Sequence, residues 1–187
     1  MPQLELLFGE ELHRKVILEG VLRAERYVWI ATANLKDMHM KRGRTFRPVL
    51  EVLDEMAGEG VTFRIIHGDL PSRYFVETLE RFPRLAGEAL ELQICLRSHW
   101  KMVIVDGVRA YIGSANFTGA GLGARSTRRR NLEIGIWSSD PLLVSPIRDL
   151  FDEFWMGLHC WDCALRKKCP DPISEEVAPE TTFPRSL

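Results

Sequence analysis

Residues 98–116 are SHWKMVIVDGVRAYIGSAN, and this stretch decides the fold. The β-branched, apolar run at 102–105 predicts a buried strand. The Asp106-Gly107 pair predicts a hairpin turn, and residues 108–112 predict the returning strand. Because side chains two residues apart in a strand lie on the same side, His99 and Lys101 project together, and Asn116 follows the return strand. An imidazole, an ammonium and an amide at one end of a hairpin suit phosphate, since two groups can bind oxygens while one reacts.

The motif within this stretch is His-x-Lys-x4-Asp-x6-Gly-Ser-x-Asn, and it resembles the HKD motif of the phospholipase D superfamily. Every motif position carries the family's residue at the family's spacing, and the resemblance covers roughly residues 10–158. It implies an α/β fold in which a mixed β-sheet is sandwiched by α-helices.

Strands and helices alternate along the rest of the chain, which is typical of a layered α/β domain. Strand patterns lie at 27–33, 61–66, 90–96 and 131–137, and helical patterns at 9–26, 48–58, 71–85 and 141–158, with a loop expected at 34–47. The sequence therefore predicts one domain over 1–158, a cysteine-containing segment over 159–170, and a flexible C-terminus over 171–187, which is rich in proline and acidic residues.

The 187 residues carry a formal net charge of −1, so any basic surface must be local. The N-terminal residues lack the basic region of a signal peptide, and no apolar run approaches the roughly 20 residues that span a bilayer. We therefore expect a cytoplasmic protein with reduced thiols and no membrane insertion.

The resemblance also implies a homodimer. A second His-x-Lys at His39-Met40-Lys41 lacks the rest of the motif, so one chain supplies half of the usual pair. Small members with one motif bring two copies of the histidine to one phosphate across a two-fold axis. His99 of one subunit is then the nucleophile, forming a covalent phosphohistidine, and His99 of the other is the general acid.

The remaining site residues are assigned by the same resemblance. Lys101 and Asn116 bind the non-bridging oxygens, and Ser114 is a further donor to the phosphate. Glu133 holds the histidine through its other ring nitrogen. Asp106 belongs to the motif but lies at the hairpin turn, where strand parity gives it a supporting role. No metal is required for this catalysis.

A glycine-rich loop follows the motif and contains Arg125, Arg128, Arg129 and Arg130. The glycines favour mobility, and the arginines favour binding to a nucleic-acid backbone beside the site. Basic residues at 41–47 add a second candidate patch. DNA or RNA is therefore the favoured substrate class; the alternatives are a lipid phosphodiesterase or phosphatidyltransferase, and a nucleic-acid-binding module with vestigial catalysis.

The four cysteines form the last candidate site. Cys160-x2-Cys163-x5-Cys169 predicts a three-thiolate cluster, with His159 or Cys95 as the fourth ligand. A structural zinc ion, a 4Fe-4S cluster and plain buried or free thiols remain open at this point.

Overall fold

The computed structural model describes residues 3–35, 39–42, 45–123 and 125–173. Its nine strands are β1 (Leu4–Phe8), β2 (Tyr27–Thr32), β3 (His39–Arg42), β4 (Thr45–Pro48), β5 (Thr62–His67), β6 (Leu90–Ile94), β7 (Lys101–Val105), β8 (Arg109–Gly113) and β9 (Ile134–Ser138). Seven of them form one mixed sheet in the order β1-β9-β8-β7-β2-β5-β6, and β3 pairs with β4 in a separate hairpin. Within the large sheet, β2, β5 and β6 are parallel to one another, and the other neighbouring pairs are antiparallel.

Four α-helical segments flank the sheet: α1 (Glu10–Leu12), α2 (Val49–Gly58), α3 (Arg73–Leu79) and α4 (Pro141–Trp155). The first continues as a π-helical stretch, His13–Leu18. Side-chain caps begin the later helices, since Ser72 accepts from the Phe75 N–H at 3.2 Å and Asp140 accepts from the Leu142 N–H at 3.0 Å.

The helices cover both faces of the sheet. Buried side chains of the α1 region, α2 and α3 pack on one face, against strand residues such as Val103 and Tyr111. Val144, Ile147 and Phe151 of α4 pack on the other face, against Met102 and Ile104. The predicted mixed sheet between helices is confirmed, and it holds the hairpin of β7 and β8 at its centre.

Several predicted elements differ in detail. The predicted loop at 34–47 contains the β3–β4 hairpin, and the edge strand β1 was not predicted. The predicted helix at 9–26 is interrupted at Gly20, where a Cβ would lie 2.4 Å from the Val16 carbonyl oxygen and 2.7 Å from the Trp137 ring. The predicted helix at 71–85 ends at Leu79, before the proline at 83 that cannot donate a helical hydrogen bond.

The C-terminal segment stays in contact with the domain as far as it is described. Asp171 accepts a hydrogen bond from the Ile94 N–H at 2.9 Å, which ties this residue to the edge strand β6. The flexible C-terminus over 171–187 stays a prediction. Residues 174–187 lie outside the described part of the chain. No helix within the described ranges has the length and apolar character needed to cross a bilayer.

Candidate active site

His99 and Lys101 meet at the start of β7. The Lys101 Nζ lies 3.0 Å from His99 Nδ1 and 3.4 Å from His99 Nε2, and it donates to the His99 carbonyl oxygen at 2.8 Å. Because an ammonium only donates, the ring nitrogen that faces it accepts. The imidazole is exposed, so it is accessible to a ligand while the lysine holds it from one side.

Partial burial changes the acidity of the Lys101 ammonium. Burial lowers the pKa of Lys101, and the nearby negative charge of Glu133 opposes part of that shift. The Lys101 ammonium and the Glu133 carboxylate therefore lie close enough to interact electrostatically. A cation that is only partly hydrated binds phosphate oxygens more strongly than one in bulk water.

Glu133 is fixed by two neighbours. Ser114 Oγ donates a short hydrogen bond to Glu133 Oε2, and Asn131 Nδ2 donates to Glu133 Oε1 at 3.0 Å. The Ile134 N–H donates back to Ser114 Oγ at 3.1 Å. A bond from Glu133 to His99 is not among the described contacts of Glu133, and that role of the carboxylate stays a prediction.

Asn116 is oriented by the end of β2. Its Oδ1 accepts from Thr32 Oγ1 and from the Asn34 N–H, both at 3.2 Å. Because the Asn34 N–H can only donate, the atom that faces it is the amide oxygen, and the amide nitrogen is the end that can donate to a ligand. Thr32 also accepts from the Phe117 N–H at 3.0 Å, which fixes the turn after the motif.

Tyr111 supports the Ser114–Asn116 turn from the core side. The sequence analysis did not identify this residue. Its hydroxyl oxygen accepts from the Ala115 N–H at 3.1 Å, and burial raises the pKa of this phenol to about 12. Its ring fits because Gly113 and Gly135 carry no Cβ: one added at either glycine would lie 2.4 or 2.3 Å from a ring or hydroxyl atom. The paired glycines are the only signal in the sequence that could have indicated this contact.

Asp106 lies at the opposite end of β7, about 20 Å along the strand from His99 by its rise per residue. It adopts a left-handed conformation (φ 54°), and its carboxylate accepts from the backbone N–H groups of Glu25, Arg26 and Tyr27 at 2.8–3.0 Å. Burial raises its pKa, but these bonds and the Arg26 charge outweigh burial and lower it below its usual value. Asp106 therefore fastens the hairpin turn to the start of β2.

The Arg130 guanidinium is engaged by backbone carbonyl oxygens. Its guanidinium donates to the carbonyl oxygens of Gly9, Gly121, Gly123 and Arg125 at 3.1–3.4 Å, and burial lowers its pKa. Among the other candidate arginines of the loop, Arg125, Arg128 and Arg129 are exposed. The prediction of a basic surface therefore applies to these three.

The glycine-rich start of the loop is packed, which differs from the expected mobility. Leu122 is buried and its N–H donates to the Asn116 carbonyl oxygen at 3.3 Å, while a Cβ on Gly121 would lie 2.4 Å from that oxygen.

The second basic patch, predicted at 41–47, has less support than the exposed arginines of the loop. Arg47 binds Glu51 and Glu55, and the side chains of residues 41–44 lie outside the described part of the chain.

The four cysteines line one cavity of about 30 Å³ behind the motif. All four are free thiols, and burial raises the pKa of Cys160, with the neighbouring Cys95, Cys169 and Cys163 adding to the shift. Within the described ranges, no three His, Cys, Asp or Glu side chains converge on one point as a metal-binding group. The four predicted cluster residues thus line the same cavity, from two separate parts of the chain.

Comparison with known proteins agrees with this fold and motif. The family model described as "Cardiolipin synthase, PLD-like domain" matches residues 17–155. The chain therefore belongs to the PLD-like family, within the phospholipase D superfamily of phosphodiesterases. No curated protein sequence matches the chain.

Solved structures with the same fold include the following three. Nuc from Salmonella typhimurium, a phospholipase D family member, has a TM-score of 0.59 and 18% identity, covering 83% of this chain and 95% of that one. NucT from Helicobacter pylori has a TM-score of 0.57 and 13% identity, covering 83% and 96%. TrmBL2, an archaeal chromatin protein described as having a novel mode of DNA binding, has a TM-score of 0.53 and 14% identity, covering 83% and 52%.

Proposed function

We propose that this protein is a metal-independent nuclease of the phospholipase D type, which cleaves DNA or RNA as a homodimer through a covalent phosphohistidine. The observation that carries the proposal is the placement of Lys101 Nζ against the exposed His99 ring. The charge of Glu133 acts on Lys101, and Asn116 is held by Thr32, the residue that pairs with Lys101 across β2 and β7. Family membership supplies the reaction class, and these side chains are the ones that such a reaction needs.

The reaction has two displacement steps. A neutral His99 nitrogen attacks phosphorus with its lone pair, the bond from phosphorus to the leaving alcohol breaks, and the partner's His99 gives that oxygen a proton. Water then attacks phosphorus and gives its proton to the partner's His99, while the P–N bond breaks and releases the phosphomonoester. Lys101 and the Asn116 amide donate to the non-bridging oxygens as negative charge grows on them.

Exposed arginines beside the motif favour a nucleic-acid substrate. Arg128 and Arg129 lie on a short 3₁₀ turn, and the loop returns through Asn131, whose N–H donates to the Ala120 carbonyl oxygen and whose amide binds Glu133. The turn that carries Arg128 and Arg129 is thereby connected to the Glu133 carboxylate through Asn131, two residues after Arg129. The DNA binding described for TrmBL2 is a further, fold-level reason to test nucleic acids.

Turnover by the purified wild-type protein tests this proposal. We expect cleavage of single- or double-stranded DNA or RNA, and of a bis-aryl phosphodiester, in a chelating buffer. His99→Ala should remove activity by at least a factor of about 1,000, as for other lost nucleophiles. His39→Ala is the matched control, because His39 belongs to the other His-x-Lys and is exposed on β3. Full activity of His99→Ala would refute the mechanism.

Two alternatives have their own outcomes in the same assay. The description of the matching family model favours phosphatidyl chemistry, which predicts turnover of phospholipid vesicles and none of oligonucleotides. A binding module with vestigial catalysis predicts salt-sensitive binding of nucleic acid without cleavage of any phosphodiester by the wild-type protein.

A further inference from the structure

The segment after α4 winds so that every third residue faces the same cavity. The Cys163 N–H donates to the Cys160 carbonyl, Arg166 to Cys163, and Cys169 to Arg166, at 3.3, 2.9 and 3.2 Å. Residues three apart are eclipsed in such 3₁₀-like turns. Cys160, Cys163 and Cys169 consequently lie on one side of the segment, and all three line the cavity.

The opposite wall of the cavity is the end of the edge strand β6. Cys95 follows this strand, and its N–H donates to the His67 carbonyl oxygen at 2.9 Å, which fixes it to β5. Asp171 binds the outward-facing Ile94 N–H at 2.9 Å, and Cys169 Sγ lies 4.0 Å from the Ile94 carbonyl oxygen. Two separate parts of the chain, 75 residues apart at this contact, thus bring four thiols to one space.

We propose that Cys95, Cys160, Cys163 and Cys169 bind a metal centre as four thiolates, joining the C-terminal segment to the strand that precedes the HKD motif. Four sulfur ligands select zinc or an iron–sulfur cluster among biological metals. The cavity of about 30 Å³ exceeds the roughly 10–15 Å³ that one water needs, so a single metal ion fits between the thiols without displacing the chain.

His159 also lines the cavity, but its ring is already engaged. It stacks on Phe154 with ring centroids 4.1 Å apart, and its Nε2 lies 3.4 Å from Glu153 Oε2. Phe154 in turn packs edge-to-face with Trp100, with ring centroids 4.3 Å apart. Trp100 lies between His99 and Lys101 in the sequence. Cys95 is therefore the fourth ligand, and His159 links the segment to the motif by stacking.

Metal content of the full chain tests the proposal without reference to phosphodiesterase activity. Protein purified anaerobically, with no chelator, should contain about one zinc per chain, or about four iron and four sulfide with broad visible absorption. Removing the metal should lower the Tm, and adding the same metal back should restore it. Substoichiometric metal after reconstitution with either zinc or iron and sulfide, an unchanged Tm, or disulfides in place of free thiols would overturn it.

Two substitutions distinguish the ligand set. Cys95→Ser should lose most of the bound metal, whereas His159→Gln, the matched control at the same cavity, should retain it. Metal retained by folded Cys95→Ser and lost by His159→Gln would overturn the assignment of Cys95. The wild-type measurement stands by itself if the cysteine variant fails to fold.

Discussion

Gly113 and Gly135 face each other across β8 and β9, and the ring of Tyr111 lies over both. This arrangement lets the tyrosine hydroxyl reach the Ala115 N–H, inside the turn that carries Ser114 and Asn116. The turn is therefore held from within the core by a contact of the protein with itself.

Removing the Tyr111 hydroxyl should destabilise the fold. Tyr111→Phe leaves the buried Ala115 N–H without its acceptor, which costs about 1–3 kcal/mol in the free energy of unfolding. Urea denaturation measures this loss. Tyr74→Phe is the matched control, because the Tyr74 side chain is mostly exposed. Equal stability of the two variants would contradict the supporting role of Tyr111.

Local patterns in the sequence predicted the hairpin of β7 and β8 and the proximity of His99 to Lys101, because alternation in a strand depends only on near neighbours. Thr32 and Tyr111 could not be assigned in this way. Thr32 reaches Asn116 across 84 positions of the chain, and no short-range pattern encodes such a contact. The motif therefore specifies the reacting groups, while its supports depend on the folded sheet.

Residues with the same charge also divide by contacts that the sequence does not reveal. Arg130 binds four carbonyl oxygens, whereas Arg128 and Arg129 beside it are exposed. Asp106 shares a motif with His99 but binds the backbone at the other end of β7. Residue type and position in a motif are therefore not enough to tell a residue that could bind substrate from one that holds the backbone. The contacts in the folded chain distinguish the two.

Asp106 should make stability depend on acidic pH. Its pKa in the folded protein lies below the ordinary value of 3.8, so the carboxylate contributes stability above that pH and loses it as pH falls through the lowered pKa. Asp106→Ala should cost about 3 kcal/mol at pH 7, since three N–H groups lose a charged acceptor, and much less in strong acid. Urea denaturation across pH measures the difference.

The control for Asp106 is Asp69→Ala, which removes an exposed loop carboxylate. Among the described contacts, this carboxylate accepts from the adjacent Leu70 N–H and its charge acts on His67. A similar loss of stability in both variants would contradict the specific clamp at Asp106. Residual phosphodiesterase activity of folded Asp106→Ala should stay within about tenfold of wild type, because the carboxylate does not touch the reacting groups.

The two kinds of arginine should separate in binding experiments. Replacing both Arg128 and Arg129 by Ala should lower the slope of log K against log salt by about two, because two phosphate contacts are lost, with little change in stability. Arg130→Lys keeps its charge but loses carbonyl contacts, so it should lower stability by about 1–2 kcal/mol. Fluorescence anisotropy with labelled DNA and urea denaturation measure the two effects.

Arg73→Ala controls for overall charge, because Arg73 is exposed on α3 and pairs only with Glu77 among its described contacts. An equal fall in salt slope for Arg73→Ala would show that the arginine loop has no special role in binding. A stable Arg130→Lys protein would contradict the anchoring of the loop by its guanidinium.

The proposed dimer should depend on apolar residues beside Glu133. Leu132 is fully exposed, at 103% of its reference area, and Ile134 is 53% exposed, although both adjoin the site carboxylate. Because a shared site lies on the two-fold axis, a second copy should cover these side chains. Leu132→Glu should then shift the protein toward monomer in light scattering and lower turnover by at least about tenfold. Leu142→Glu is the matched control, since Leu142 is 87% exposed at the start of α4. A dimer with full activity in Leu132→Glu would exclude this face from the interface.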